Sequence, residues 1–257
     1  APLIVDCSFD LADAQAGRRA YDAGHLPGAH HLHLEHHLSG PKTGRNGRHP
    51  LPDRAAFQAR MAALGLDDDT QVVACDNAGG IYAARLWWML RWLGHPAVAV
   101  LDGGVAAWTA AGQPLQTDVP PAPALGRFTA RAPLATLVHF DEVRATLGHP
   151  RHLVLDARAP DRFRGENETL DPVGGHIPGA LNRFYFDNLD DDGCFFKPAP
   201  ELRAEFAALL GGRPATQVVQ QCGSGVTACH NLLAMELAGL SGSKLYPGSW
   251  SEWCADP

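Results

Sequence analysis

The stretch from Gln217 to Ala228, QVVQQCGSGVTA, decides the architecture. Val218 and Val219 open a short β-branched run, Gly223-Ser224-Gly225 makes a tight turn, and Val226, Cys229, Leu233, Leu237 and Leu240 then fall on one helical stripe. Strand, glycine turn and helix in that order form part of a βαβ unit and point to a parallel sheet. The same order stands earlier in the chain. Gln71 to Ala74 is followed by a glycine-containing stretch and by a stripe of Tyr82, Leu86, Met89, Leu90 and Leu93. The runs Gln71 to Ala74, Val98 to Leu101, Leu153 to Leu155 and Gln217 to Val219 do not alternate in polarity, as expected for strands covered on both faces. Gly94 and Gly239 stand where C-terminal helix caps are expected.

These paired segments belong to a longer internal repeat. Leu3-Ile4-Val5-Asp6 matches Leu153-Val154-Leu155-Asp156, and GHLPGA at Gly24 to Ala29 matches GHIPGA at Gly175 to Ala180. Later in each copy, Gln71-Val72-Val73 pairs with Gln217-Val218-Val219, and DGGVAAW at Asp102 to Trp108 pairs with PGSWSEW at Pro247 to Trp253. Between the copies, Thr117 to Pro133 carries four prolines and no apolar period. The expected organisation is therefore one α/β domain over residues 1–116, a linker over 117–135, and a second α/β domain over 136–257.

The 257 residues are of ordinary globular composition, and no apolar run is long enough to span a membrane. A net charge of -7, from 21 basic and 28 acidic residues, argues against a nucleic-acid partner and for a small molecule or a protein. Six cysteines at positions 7, 75, 194, 222, 229 and 254 show no zinc-ligand spacing and are too sparse for a disulfide scaffold, so a reducing, cytoplasmic setting is expected. The start, APLIVDCSFD, shows no basic region followed by an apolar core, hence no uncleaved signal peptide is expected.

In parallel α/β sheets, working residues sit at the carboxyl ends of strands. There the two copies differ. Cys222-Gly223-Ser224-Gly225-Val226-Thr227-Ala228 aligns with Asp76-Asn77-Ala78-Gly79-Gly80-Ile81-Tyr82, so one copy carries a thiol where the other carries a carboxylate. A cysteine between a strand and a glycine turn that opens a helix faces amide N–H groups and the positive end of the helix, and both favour the thiolate. The bland alternative, a small buried residue, is the reading for Cys7, Cys75, Cys194, Cys229 and Cys254.

The loop CGSGVTAC, the paired GHLPGA and GHIPGA segments, RFRG at Arg162 to Gly165 and YPGSWSEW near the end resemble the tandem-domain rhodanese superfamily, most closely its 3-mercaptopyruvate sulfurtransferase type. The likeness runs in order through both copies. Members of that type usually carry a helix before the first strand and a tail after the last Trp segment, and the sequence is expected to be trimmed relative to them. The resemblance implies two tandem rhodanese-like domains, each a mostly parallel sheet with helices on both faces, and no metal or organic cofactor. It also implies transfer of a sulfane sulfur from a small donor, through a Cys222 persulfide, to cyanide, a small thiol or a thioredoxin-like protein. Gly223, Gly225, Val226, Thr227 and Ala228 would hold the persulfide by their amides, and Ser224 would bond the donor or relay a proton. Gly223 and Ser224 stand where thiosulfate-preferring members typically carry basic residues, which favours 3-mercaptopyruvate over thiosulfate as donor.

By the same resemblance, Arg162 binds the donor carboxylate. A second arginine, which animal members place shortly before the second His-Ile-Pro-Gly, is missing from ENETLDPVGG at Glu166 to Gly175, and Arg183 is the nearest substitute in sequence. His25 and Asp13, with Ser224, make a possible proton relay near an interdomain cleft, although His176 at the same motif position suggests that His25 serves its own turn. Six of the 13 histidines crowd into His25 to His37, where an alternating strand and its exit explain them as well as a metal site does. Trp87, Trp88 and Trp92 read as packing.

Three alternatives stay open on the sequence. One is a thiosulfate sulfurtransferase. Another is a non-catalytic sulfur carrier or regulatory module, which the first copy alone would be. The third is a cysteine phosphatase, disfavoured because Ala228 stands where that chemistry needs an arginine.

Overall fold

The computed structural model describes residues 1–256. The chain divides into two compact units, the first built from Ala1–Gly40 and Leu51–Ala135, the second from Pro41–Pro50 and the chain from Thr136 onward. In the first, β1 (Leu3–Asp6), β2 (His30–His31), β3 (Val72–Cys75) and β4 (Val98–Val100) pair in the order β2-β1-β3-β4. In the second, β5 (Thr136–Leu137), β6 (Leu153–Asp156), β7 (Leu181–Asn182), β8 (Val218–Gln221) and β9 (Lys244–Leu245) pair in the order β5-β9-β8-β6-β7. Every pairing is parallel, and helices flank both sheets.

Burial of both faces explains the apolar runs without alternation. Leu153, Leu155 and Val218 pack with Leu202, Phe206 and Met235 on one side of the second sheet. Their neighbours Val154 and Val219 point the other way, into a cluster with Val138, Ile177, Tyr246 and Trp250. Both glycine caps form as the sequence predicts. The helices Ile81–Trp92 and Thr227–Leu237 end in left-handed Gly94 and Gly239. The Gly94 and His95 N–H groups return to the carbonyls of Arg91 and Leu90, and those of Gly239 and Leu240 to Glu236 and Met235. This paired return satisfies the last helical carbonyls.

The proline-rich stretch after residue 116 has no regular helix or strand and belongs to the first unit, where Phe128 is buried and Arg131 donates its N–H to the Leu93 carbonyl. Trp88 is buried and stacks on Trp92 at 6.1 Å, while Arg91 lies over Trp87 at 5.2 Å. Within the histidine cluster, His33 and His37 serve local structure. His33 caps the turn Leu34–His37 by accepting the Glu35 N–H, and His37 Nδ1 accepts the His33 N–H at 2.8 Å. Among the described residues no cluster of His, Cys, Asp or Glu is arranged to hold a metal ion, and no helix is long and apolar enough to cross a membrane.

Candidate active site

The sheet registers place the two loops identically. Cys75 ends β3 opposite Asp6 and Gln221 ends β8 opposite Asp156, so Asp76 and Cys222 are each the first residue past a central strand. In both copies the next helix begins five residues later, at Ile81 and at Thr227. In the first copy the loop is filled by its own side chain. Asp76 Oδ1 accepts the N–H groups of Ala78 and Gly80 at 2.8 and 2.9 Å, and Oδ2 those of Tyr82 and Ala83 at 2.8 and 2.9 Å. Complete burial raises the pKa of this carboxyl against the pull of the four amides. The loop is thus a built anion cradle, here occupied by two oxygens.

In the second copy a single atom takes that position. Cys222 is buried, and its Sγ receives the Gly225 N–H at 3.1 Å and the Ser224 N–H at 3.5 Å. Gly225 has φ +75°, and a Cβ there would lie 2.4 Å from the Pro247 carbonyl oxygen, so only glycine lets the turn close. The cysteine is pinned from behind by Ser249, a non-glycine residue at φ 54°. Ser249 Oγ accepts the Cys222 N–H at 3.1 Å and donates to the Tyr246 carbonyl at 2.9 Å. These two bonds offset a backbone conformation that ordinarily costs about 1–2 kcal/mol.

Ser224 brings in a residue that sequence reasoning missed. Its Oγ shares a 2.7 Å hydrogen bond with Nδ1 of His49, and both residues are buried. His49 lies in the segment Pro41–Pro50, which packs with the second unit. Left-handed Gly47 approaches Gly248 so closely that a Cβ would meet its carbonyl oxygen at 2.7 Å, and Arg48 donates its N–H to Ser251 Oγ at 3.0 Å. The one signal in the sequence was a pair of basic residues, Arg48 and His49, held between Gly47 and Pro50, which also describes many solvated loops.

Arg162 lies beside the loop, its Nη2 3.6 Å and its Nη1 3.8 Å from where a Cβ on Gly223 would stand. It grips Glu168 through Nε at 3.2 Å and Nη2 at 2.8 Å and lies 3.6 Å from Asp171, whose other oxygen is bonded by Arg48 Nη1. Burial works against ionisation of Glu168, but Arg162 and the N–H groups of Leu170 and Asp171 outweigh it and hold its carboxyl below the usual range. Arg158 is fully buried beneath this group, bonded to Asp156, to Glu168 and to the Gly175 carbonyl and stacked 4.9 Å over Trp250.

The structure thus gathers Cys222, Gly223, Ser224, Gly225 and Arg162, with the helix opening at Thr227 and Ala228 just after Val226. The other expected residues have partners of their own. Arg183 is buried over the Phe206 ring at 4.8 Å and committed to Glu205, Asn188 and the Asp187 carbonyl. His25 and Asp13 belong to the first unit. There, His25 stacks on Tyr21 and bonds its carbonyl through Nδ1, whereas Asp13 is exposed and paired with Arg19. They are not bonded to each other.

A profile of the Rhodanese-like domain matches residues 1–111 and 139–256. The chain belongs to the rhodanese family. It is 49% identical over 260 residues to a Pseudomonas aeruginosa protein named "Probable 3-mercaptopyruvate sulfurtransferase", covering 99% of this chain and 90% of that one. It is also 36% identical over 255 residues to the mouse thiosulfate sulfurtransferase, covering 97% and 84%. Among solved structures, the 3-mercaptopyruvate sulfurtransferase of Leishmania major superposes with a TM-score of 0.85 at 31% identity, covering 98% of this chain and 70% of that one. Each sheet described above is one rhodanese-like domain, the first with a carboxylate in its loop and the second with a thiol.

The second rhodanese domain has the parts of a nucleophilic site. Sγ lies at a strand end under two amides, a hydroxyl two residues on is tied to an imidazole, and arginines flank the loop. The arrangement suits attack on an electrophilic sulfur and retention of an anionic product.

Proposed function

We propose that the protein takes a sulfur atom from a small anionic donor, 3-mercaptopyruvate in preference to thiosulfate, onto Cys222 as the sulfane sulfur of a persulfide, and passes it to a thiol or to cyanide. It is a sulfurtransferase of the class to which its relatives belong. The observation that carries the reading is the contrast between the two loops. In the first, a two-oxygen anion is held by four amides. In the second, one sulfur atom uses two amides. The helix-opening positions that serve Asp76 Oδ2, Tyr82 and Ala83, correspond to Ala228 and Cys229, and a second sulfur on Cys222 would take the place of that second oxygen.

In the first half-reaction, the Cys222 thiolate attacks the donor's thiol sulfur. The new S–S bond forms as the C–S bond of mercaptopyruvate breaks, and its electron pair leaves on carbon as the enolate of pyruvate. That enolate takes one proton and departs as pyruvate. Ser224, tied to His49, is the group placed to deliver this proton, so the proposal assigns the relay to His49. In the second half-reaction, an acceptor thiolate or cyanide attacks the outer sulfur, and Cys222 leaves as thiolate. The acceptor class includes small thiols and thioredoxin-like proteins, and the setting proposed for both steps is a reducing cytoplasm.

The donor preference rests on Gly223 and Ser224, which add no positive charge to the loop, and on Arg162, whose planar fork matches a carboxylate. Steady-state kcat/KM for 3-mercaptopyruvate and thiosulfate, measured side by side with cyanide as acceptor, tests it. A higher value for mercaptopyruvate is expected, and a thiosulfate value about tenfold higher would reverse the assignment.

A further inference from the structure

Position 223 carries no side chain, yet the space a side chain would occupy is filled. A Cβ built on Gly223 would lie 2.7 Å from Nη2 of Arg48, closer than to either terminal nitrogen of Arg162. The charge a side chain at 223 could have supplied therefore arrives from the segment Pro41–Pro50. Arg48 and Arg162 share one support, Asp171, whose side chain is 2% exposed, whereas the arginine side chains are 25% and 20% exposed. Glu168, beneath Arg162, is 4% exposed. The carboxylates lie below and the guanidinium groups above them, partly open to solvent beside the cysteine loop. Arg48 bonds Asp171 through Nη1, and Arg162 bonds Glu168 through Nε and Nη2. Among the described residues no carboxylate is bonded to Arg48 Nη2 or to Arg162 Nη1, and these two nitrogens lie 2.7 and 3.8 Å from where a Cβ on Gly223 would stand.

We infer that Arg48 is a specificity-determining residue, whose guanidinium and that of Arg162 together receive the donor's carboxylate beside Gly223. The inference rests on the donor reading above and adds to it a residue from outside the repeat motifs. Two guanidinium groups held on buried carboxylates, Arg48 on Asp171 and Arg162 on Glu168, each offer a nitrogen and discriminate by geometry as well as charge, because a carboxylate presents two coplanar oxygens. A glycine at 223 then has a positive role, since a side chain there would displace Arg48.

The test pairs two donors with two variants of the full chain. 3-Mercaptopyruvate and 1-mercaptopropan-2-one share the thiol and the ketone, and only the first has the carboxylate. Arg48→Ala is expected to raise KM for mercaptopyruvate about ten- to a hundredfold, the range for a lost hydrogen bond to a charged group. It should leave kcat/KM for mercaptopropanone within about twofold, and Arg48→Lys should recover part of the loss. If Arg48→Ala does not fold, Gly223→Ala should narrow the same donor ratio by pushing the guanidinium aside. An unchanged KM for mercaptopyruvate, or equal losses on both donors, would overturn the inference while leaving the sulfurtransferase reading intact. A wild-type enzyme that turns over thiosulfate but not mercaptopyruvate would overturn the donor reading and this inference with it.

Discussion

Replacing His49 by Ala separates a proton relay from a simple anchor. The imidazole is 3% exposed and its bond to Ser224 Oγ is 2.7 Å, within a site shielded from bulk water. If His49 only holds Ser224, loss of the hydrogen bond between them costs about 1 kcal/mol, which is about a fivefold effect on rate. If it feeds the proton that quenches the pyruvate enolate, the loss is that of general acid catalysis, about a hundredfold or more, or at least about 2.7 kcal/mol of barrier. The two donors sharpen the distinction. Mercaptopyruvate leaves a carbanion-like fragment that must be protonated, whereas thiosulfate leaves sulfite, which needs no proton on carbon. Rapid-quench measurement of the first turnover, with pyruvate or sulfite as product, should show His49→Ala slowed about a hundredfold with mercaptopyruvate and less than about tenfold with thiosulfate. Discharge of preformed persulfide by cyanide should be nearly unchanged. A fall of fivefold or less with mercaptopyruvate, or equal falls with both donors, would refute the relay.

Arg162→Ala should raise KM for mercaptopyruvate about tenfold or more with a smaller change in kcat; an unchanged KM removes it from donor binding. Gly225→Ala combines a φ of +75° with a Cβ 2.4 Å from the Pro247 carbonyl. Calorimetry should show a loss of about 2 kcal/mol or more together with lost activity, and a wild-type melting profile would contradict the close approach. Burial lowers the pKa of His37 from 6.5 to about 4, and its Nδ1 already accepts the His33 N–H. Because the folded value lies below the unfolded one, the fold loses stability as pH falls from 6.5 toward 4, by on the order of 2 kcal/mol after allowance for solvent. His37→Gln should flatten that part of the stability profile, whereas an unaltered acid limb places the loss elsewhere.

The parallel sheets and their helices were legible because Val218, Val219, Leu153 and Leu155 are buried on opposite faces of one strand layer, a demand that leaves unbroken apolar runs. The glycine caps were legible for a local reason: Gly94 and Gly239 take φ of +84° and +70° within one turn of their helices. Cys222 was legible through comparison with Asp76, and the structure shows both side chains inside equivalent amide loops. Strands of two residues, such as β5, β7 and β9, leave no period to read. The His49 partnership with Ser224 joins residues 175 positions apart and depends on how Gly47 docks on Gly248, which no local pattern encodes. Arg183 illustrates the converse. Next to a recognised motif it reads as available for substrate, but Glu205 and Phe206, on the helix Ala199–Leu210, occupy it.

On the proposed route, sulfur rests covalently on Cys222 between the two half-reactions. Intact-protein and peptide mass spectrometry after brief exposure to 3-mercaptopyruvate, without acceptor, tests it most directly. The mass of one sulfur atom should appear on the peptide containing Cys222, disappear on adding cyanide, and fail to appear in Cys222→Ser. Sulfur retained on another cysteine, or full turnover by Cys222→Ser, would rule out transfer through a Cys222 persulfide.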